Sequence, residues 1–256
     1  MAVAHKSAIS VGLLYIPVGL YKTTREISVS FNQLCADTHE RIKYKKICPS
    51  CNKEVSGSEI IKGYEYEKDK YVTFTEDELE KIKTKKDKTI HIHHFAKLTD
   101  VDHIFYEKNY YVIPEPGAEK ACELLRQAML SENKVGIAKT VIGTSENLLV
   151  LYPTQDCIIA KTLYYQAEIQ SIPVATSKPS VEMPELEMAK TMINTMTSEF
   201  DPSLYHDEYQ ERLRTAIETK IAGKDIISAD TGRPDNVIDL MEAMKKTVEM
   251  SKKGTA

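Results

Sequence analysis

Glycine and proline are sparse, 10 of each among 256 residues, and no internal repeat or low-complexity tract is present. With 42% hydrophobic residues, that composition suits one large domain, or a domain with an appendage, long enough to bury a core. No apolar run approaches the length that crosses a bilayer. The start, Met1–Ser10, has neither an apolar stretch nor a small-residue cleavage site, so no signal peptide is read and a cytoplasmic location is expected. Five cysteines make an odd number, and Cys35, Cys122 and Cys157 are far apart, which argues against a disulfide framework. Catalytic machinery is equally scarce. There is no glycine-rich phosphate loop, no nucleophile elbow and no His-Glu-x-x-His helix.

Net charge is -4, which by itself argues mildly against nucleic acid as a partner, but its distribution is uneven. Residues 1–110 carry a net +2, residues 111–180 a net -1 and residues 181–256 a net -5. A DNA-facing surface would therefore have to be a local patch.

From Lys6 to about Val174 short β-like segments dominate. Ile9, Val11, Leu13 and Tyr15 alternate as on one strand face, with Pro17 as its end. Ile27, Val29 and Phe31 repeat the alternation, and Tyr71–Phe74, Thr89–His93, Tyr110–Ile113, Val135–Ile142, Leu148–Tyr152 and Cys157–Ile169 are further candidates. Strands without regular helical crossovers predict a largely antiparallel barrel or sandwich. Two helices interrupt them: one after Thr75, a cap with Glu78 three residues on, and one from about Ala118 to Glu132. The boundary falls at about residue 177. Beyond the prolines at 179 and 184, helices are expected from Glu185, over roughly Asp207–Ala222, and from Asp235, where apolar stripes including Met188, Met192, Met196, Met241 and Met244 need another surface.

Five constellations bear on chemistry. Asp100 and Asp102 imitate a metal loop, but such carboxylates are usually solvated, and His91 and His93 would share a strand face more often as ordinary histidines than as a metal pair. Cys48-Pro49-Ser50-Cys51 offers half of a tetrahedral zinc site, and Cys35 and His39 lie within reach if the intervening chain forms a hairpin. A structural zinc on Cys35, His39, Cys48 and Cys51, a metal-free knuckle and a redox pair all stay open. Arg41-Ile42-Lys43-Tyr44-Lys45-Lys46 reads as a strand with Arg41, Lys43 and Lys45 on one face. Same-face residues recur about every 6.6 Å, roughly twice the 3.4 Å per-strand rise of DNA, so such a row can follow phosphates without reading bases. Solvated surface lysines are the competing explanation. Lys81, Lys83, Lys85, Lys86 and Lys88 form a second basic cluster broken only by Asp87.

Several of these pieces occur together in the prokaryotic Ku family. Ser7-Ala8-Ile9-Ser10-Val11-Gly12-Leu13-Leu14-Tyr15-Ile16-Pro17-Val18 resembles its first strand. Ser30-Phe31-Asn32-Gln33-Leu34, Arg41 through Cys51, and Lys62-Gly63-Tyr64-Glu65-Tyr66 resemble its basic strand, its knuckle and the segment after them. Leu186-Glu187-Met188-Ala189, Phe200-Asp201-Pro202-Ser203-Leu204-Tyr205-His206-Asp207-Glu208-Tyr209-Gln210-Glu211 and Thr219-Lys220 match near the end. These blocks are collinear from residue 7 to about 222. The resemblance implies a mainly β fold with α elements, a β-barrel core over 1–177 and a helical arm over 178–256 used for dimerisation and ligase recruitment. It implies a ring-shaped homodimer without enzymatic activity, nucleoid-associated, that binds linear double-stranded DNA ends regardless of sequence. An ATP-dependent DNA ligase would be its partner in end joining. Arg41, Lys43, Lys45 and Lys46 become DNA-contact candidates, with Lys83, Lys85 and Lys86 beside them, and no cofactor is required. Two departures stand out. Asn32 and Cys35 replace histidines common in the family, and the end carries only Lys245-Lys246 and Lys252-Lys253 where many relatives have a long lysine-rich tail.

Two other classes compete with this reading: a zinc-dependent hydrolase acting on nucleic acid, and a protein-binding adaptor using the acidic helices. The first needs an open metal position with a base beside it. The second would leave DNA binding indifferent to charge reversal at Arg41, Lys43 and Lys45.

Overall fold

The computed structural model describes residues 2–82, 88–143, 145–173, 179–225 and 240–253. Contacts divide the chain into two units, one of residues 1–26 with 32–171, the other of residues 27–31 with 172–256.

The first unit is built on a closed barrel. Its strands are β1 (His5–Val11), β2 (Leu14–Lys22), β5 (Thr89–Lys97), β6 (Tyr106–Pro114), β7 (Lys134–Ile142), β8 (Ser145–Pro153) and β9 (Ile158–Leu163), in the order β1-β2-β6-β9-β8-β7-β5. Every neighbouring pair is antiparallel except β1 and β5. That seam is parallel and short, with Ala8, Ile9 and Ser10 opposite Thr89, Ile90 and His91. Alternation fills the interior: Ile16, Val18 and Leu20 from β2, Leu149 and Leu151 from β8, and Ile158 and Ala160 from β9 form one buried cluster. Helix α2 (Glu119–Ser131) adds Cys122, Leu125 and Met129 at helical spacing to that cluster. Val150 and Leu163 face the opposite way, into a second cluster with Val135 that Val101 and Phe105 help to cover. Burial on both faces explains the unbroken apolar run Leu148–Leu151. The expected fold class, a mainly β barrel with helices, is what the chain adopts.

The first expected strand is in fact a hairpin. Gly12, at a positive φ of 57°, turns the chain between Val11 and Leu14, and Leu13 is fully exposed. Pro17 does not end the strand. It sits inside β2 opposite Ala8, and the ladder to β6 begins only at Val18, so its missing N–H costs no hydrogen bond on that edge.

Between β2 and β5 lie a two-stranded hairpin, β3 (Lys62–Glu67) and β4 (Lys70–Phe74), and helix α1 (Glu76–Ile82). The Thr75 cap is realised: its hydroxyl accepts from the Glu78 N–H at 3.2 Å, while the Glu78 carboxylate accepts from the Thr75 N–H at 2.9 Å. No described residue between Leu20 and Ile90 is buried.

The second unit contains α3 (Met183–Met196), α4 (Glu208–Ile221) and α5 (Leu240–Lys253). Helix α3 packs on α5, where Met244 and Val248 are buried. Neither α3 nor α4 buries a residue fully. Asp207 caps α4 by accepting from the Gln210 N–H at 3.0 Å. Ile27–Phe31 is no strand, because α4 side chains satisfy its backbone. The Val29 N–H donates to Gln210 Oε1 at 3.1 Å, and Arg214 Nη2 donates to the Ile27 carbonyl at 3.0 Å. Among the described residues no helix is long and apolar enough to cross a membrane.

Candidate nucleic-acid interface

The basic segment lies between two matching turns. One runs from Leu34 to Arg41 and the other from Ile47 to Glu54, each closed by a single antiparallel bridge between its end residues. They correspond position by position. Cys35 N–H donates to the Glu40 carbonyl as Cys48 N–H donates to that of Lys53, both at 2.9 Å. His39 N–H returns to the Cys35 carbonyl at 2.9 Å as Asn52 N–H does to Cys48 at 2.8 Å. His39 and Asn52 take the same left-handed conformation, φ 57° and 56°. In the first turn Thr38 stands where the second has Cys51.

Each turn aims donors at a thiol. The Cys35 pKa is lowered by the Thr38 N–H, then the Thr38 hydroxyl and the Asp37 N–H. That of Cys48 is lowered by the Cys51 N–H, then the Cys51 thiol and the Ser50 N–H. Burial pushes the Cys122 thiol up instead. Among the described residues no three His, Cys, Asp or Glu side chains gather as a metal group.

Arg41 to Lys46 join the turns and are exposed throughout. The expected strand is absent, since Arg41 makes one bridge and Ile42–Lys46 belong to no ladder. The 6.6 Å same-face spacing of a strand accordingly does not apply. Four cations in six residues remain, without an acid among them. Lys45 is held by Glu54 at 2.7 Å, and no ion pair is formed by Arg41, Lys43 or Lys46 among the described residues. Leu34, Ile42, Tyr44 and Ile47 are exposed alongside. Lys83, Lys85 and Lys86 lie outside the described residues. The Asp100 and Asp102 carboxylates accept from the Lys97 and Ile104 N–H groups, at 3.3 and 3.1 Å, and so serve as local caps. A bulge between Ile92 and His94 interrupts the alternation expected of the β5 histidines. Sequence reasoning missed the Lys45–Glu54 pair, for which only the opposite charges gave a signal.

The residues 10–188 match the family model described as Ku70/Ku80 beta-barrel domain. A protein of Lachnoclostridium phytofermentans, named Non-homologous end joining protein Ku, is 49% identical over 251 residues, covering 98% of both chains. Proteins of the same name from Archaeoglobus fulgidus and Bacillus subtilis are 36% and 34% identical, covering 98% and 97% of this chain and 100% and 82% of their own. A barrel matched from within β1 to beyond β9, with collinear relatives over nearly the full length, places this chain in the Ku family.

Proposed function

We propose that this chain binds double-stranded DNA ends without regard to sequence, as a ring-shaped homodimer, and brings an ATP-dependent DNA ligase to them in end joining. It performs no chemistry of its own. The relatives' shared name, Non-homologous end joining protein Ku, supports the end-joining role. The observation that carries the interface is the exposed, acid-free Arg41–Lys46 segment within a stretch that has no fully buried residue from Tyr21 to Ile82. A stretch of that length without a core needs a surface supplied from elsewhere, and a second copy together with a duplex would supply one.

Cations aimed at phosphates displace condensed counterions, so affinity falls steeply with salt and carries no base information. Ring threading reconciles this with a net charge of -4, because only the channel wall has to be positive. The reading requires no cofactor and routes nothing through a metal.

The test is retention on linear duplex against sealed circles of the same sequence, beside a light-scattering mass. Dimers that hold linear DNA and release circles are expected. Equal affinity for both forms, or a lone protomer, overturns the reading, and metal-dependent cleavage of labelled DNA would restore an enzymatic one.

A further inference from the structure

The parallel seam between β1 and β5 ends at Ala8 and Thr89. Next to it a cavity of about 350 Å3 opens between the start of β1, Lys88 and the end of β7. Lys6, Lys88 and His5 line it, and among the described residues no carboxylate does. Neither ammonium has an ion-pair partner among the described residues, whereas Lys45, Lys70, Lys108, Lys139 and Lys190 each sit within 2.9 Å of a glutamate.

The wall is fixed from two strands. The Lys88 carbonyl accepts from the Ser7 hydroxyl and, at 3.1 Å, from the Thr140 hydroxyl, and Thr140 is only 4% exposed. The backbone that carries the Lys88 ammonium is thereby pinned at the rim. Both hydroxyls already donate there, leaving the two ammoniums and His5 as the side chains able to donate to a guest. The floor is apolar, with Leu20, Val141 and Ile142. Lys6 also borders two adjoining clefts, and Glu115 lines those.

We propose that this cleft binds a phosphate monoester, with the two lysines on the phosphate and the apolar floor under a small organic body. Its volume lies at the low end of small-molecule sites, large enough for a mononucleotide. The same phosphate chemistry could arrive as a free nucleotide or as the 5′-phosphate of a DNA strand.

The test uses the full chain in buffer containing chloride near physiological strength, so that diffuse attraction is screened. Adenosine monophosphate and adenosine are titrated by calorimetry into the parent and into a variant carrying Lys6→Gln and Lys88→Gln, whose fold is checked by thermal melting. Saturable binding of the monophosphate, none of adenosine, and a tenfold or greater loss in the variant are expected. Duplexes with and without a 5′-phosphate then identify the source. A preference for the phosphorylated duplex that vanishes in the variant assigns the strand terminus, and equal retention assigns the free nucleotide. No saturable binding of the monophosphate, or equal binding by parent and variant, overturns the proposal. The calorimetry involves no DNA, so its outcome is separate from that of the end-binding reading.

Discussion

Glu54 closes its ammonium–carboxylate contact with Lys45 at 2.7 Å across the second turn, from the residue bridged to Ile47. Both side chains are more than half exposed, so the pair contributes little to stability. It does withhold one cation from the segment. Glu54→Gln should therefore strengthen DNA retention, and the slope of log affinity against log salt should steepen by about 0.9, one more phosphate neutralised. A slope unchanged in a salt titration would mean that Lys45 never meets a phosphate.

Reversing Arg41, Lys43 and Lys45 together to Glu should abolish retention of linear duplex while the light-scattering mass stays the same. All three are exposed, so the substitutions leave the fold intact. Undiminished binding in a gel-shift titration would place the interface elsewhere.

Thiol reactivity follows the thiolate fraction and access. Cys35 and Cys48 are lowered by donors in their own turns, whereas Cys122 is raised by burial and is 6% exposed. Under limiting iodoacetamide at pH 7, peptide mass spectrometry should find Cys35 and Cys48 alkylated first and Cys122 last.

Arg126 clasps Glu123 through Nε and Nη2 at 2.7 and 2.6 Å, and Gln127 donates to the same carboxylate at 2.6 Å. Arg126, then Gln127, draw the Glu123 pKa from its ordinary 4.5 to about 2. A depressed carboxylate binds fewer protons folded than unfolded, so its contribution is complete above about pH 4.5 and is lost as pH falls towards 2. Urea midpoints measured between pH 5 and pH 2.5 should fall less steeply for Glu123→Gln than for the parent. The effect is modest because the Glu123 side chain is about half exposed, although that of Arg126 is largely covered.

Leu149 is wholly buried in the barrel interior. Leu149→Ala should cost about 2–5 kcal/mol, lost transfer energy plus the cavity left behind, read as a shift in the urea midpoint. A change under about 0.5 kcal/mol, the range usual for surface sites, would mean that the interior collapses around the deletion.

The barrel was legible because Val135–Ile142, Leu148–Tyr152 and their neighbours carry their own β-branched and apolar patterns. The Thr75 cap and α2 were legible for similarly local reasons. Ile27–Phe31 misled because its alternation mimics a strand while Gln210 and Arg214, far along the chain, take its backbone bonds. Gly12 and Pro17 misled because proline was read as a stop, when the turn had come earlier at the glycine. The expected strand over Arg41–Lys46 failed because the two flanking turns consume the local bridges. The seam cleft was invisible, since Lys6 and Lys88 meet only once β1 lies against β5.

That seam bears on how the chain is made. Three residue pairs join segments 81 positions apart, as Ser7 and Lys88 illustrate. During synthesis the outer edge of β1 has no strand to meet until β5 has emerged, and non-local parallel pairing is slow to form. Closure of the cylinder therefore comes late, and until then the β1–β2 hairpin presents a bare edge on which nascent chains can aggregate.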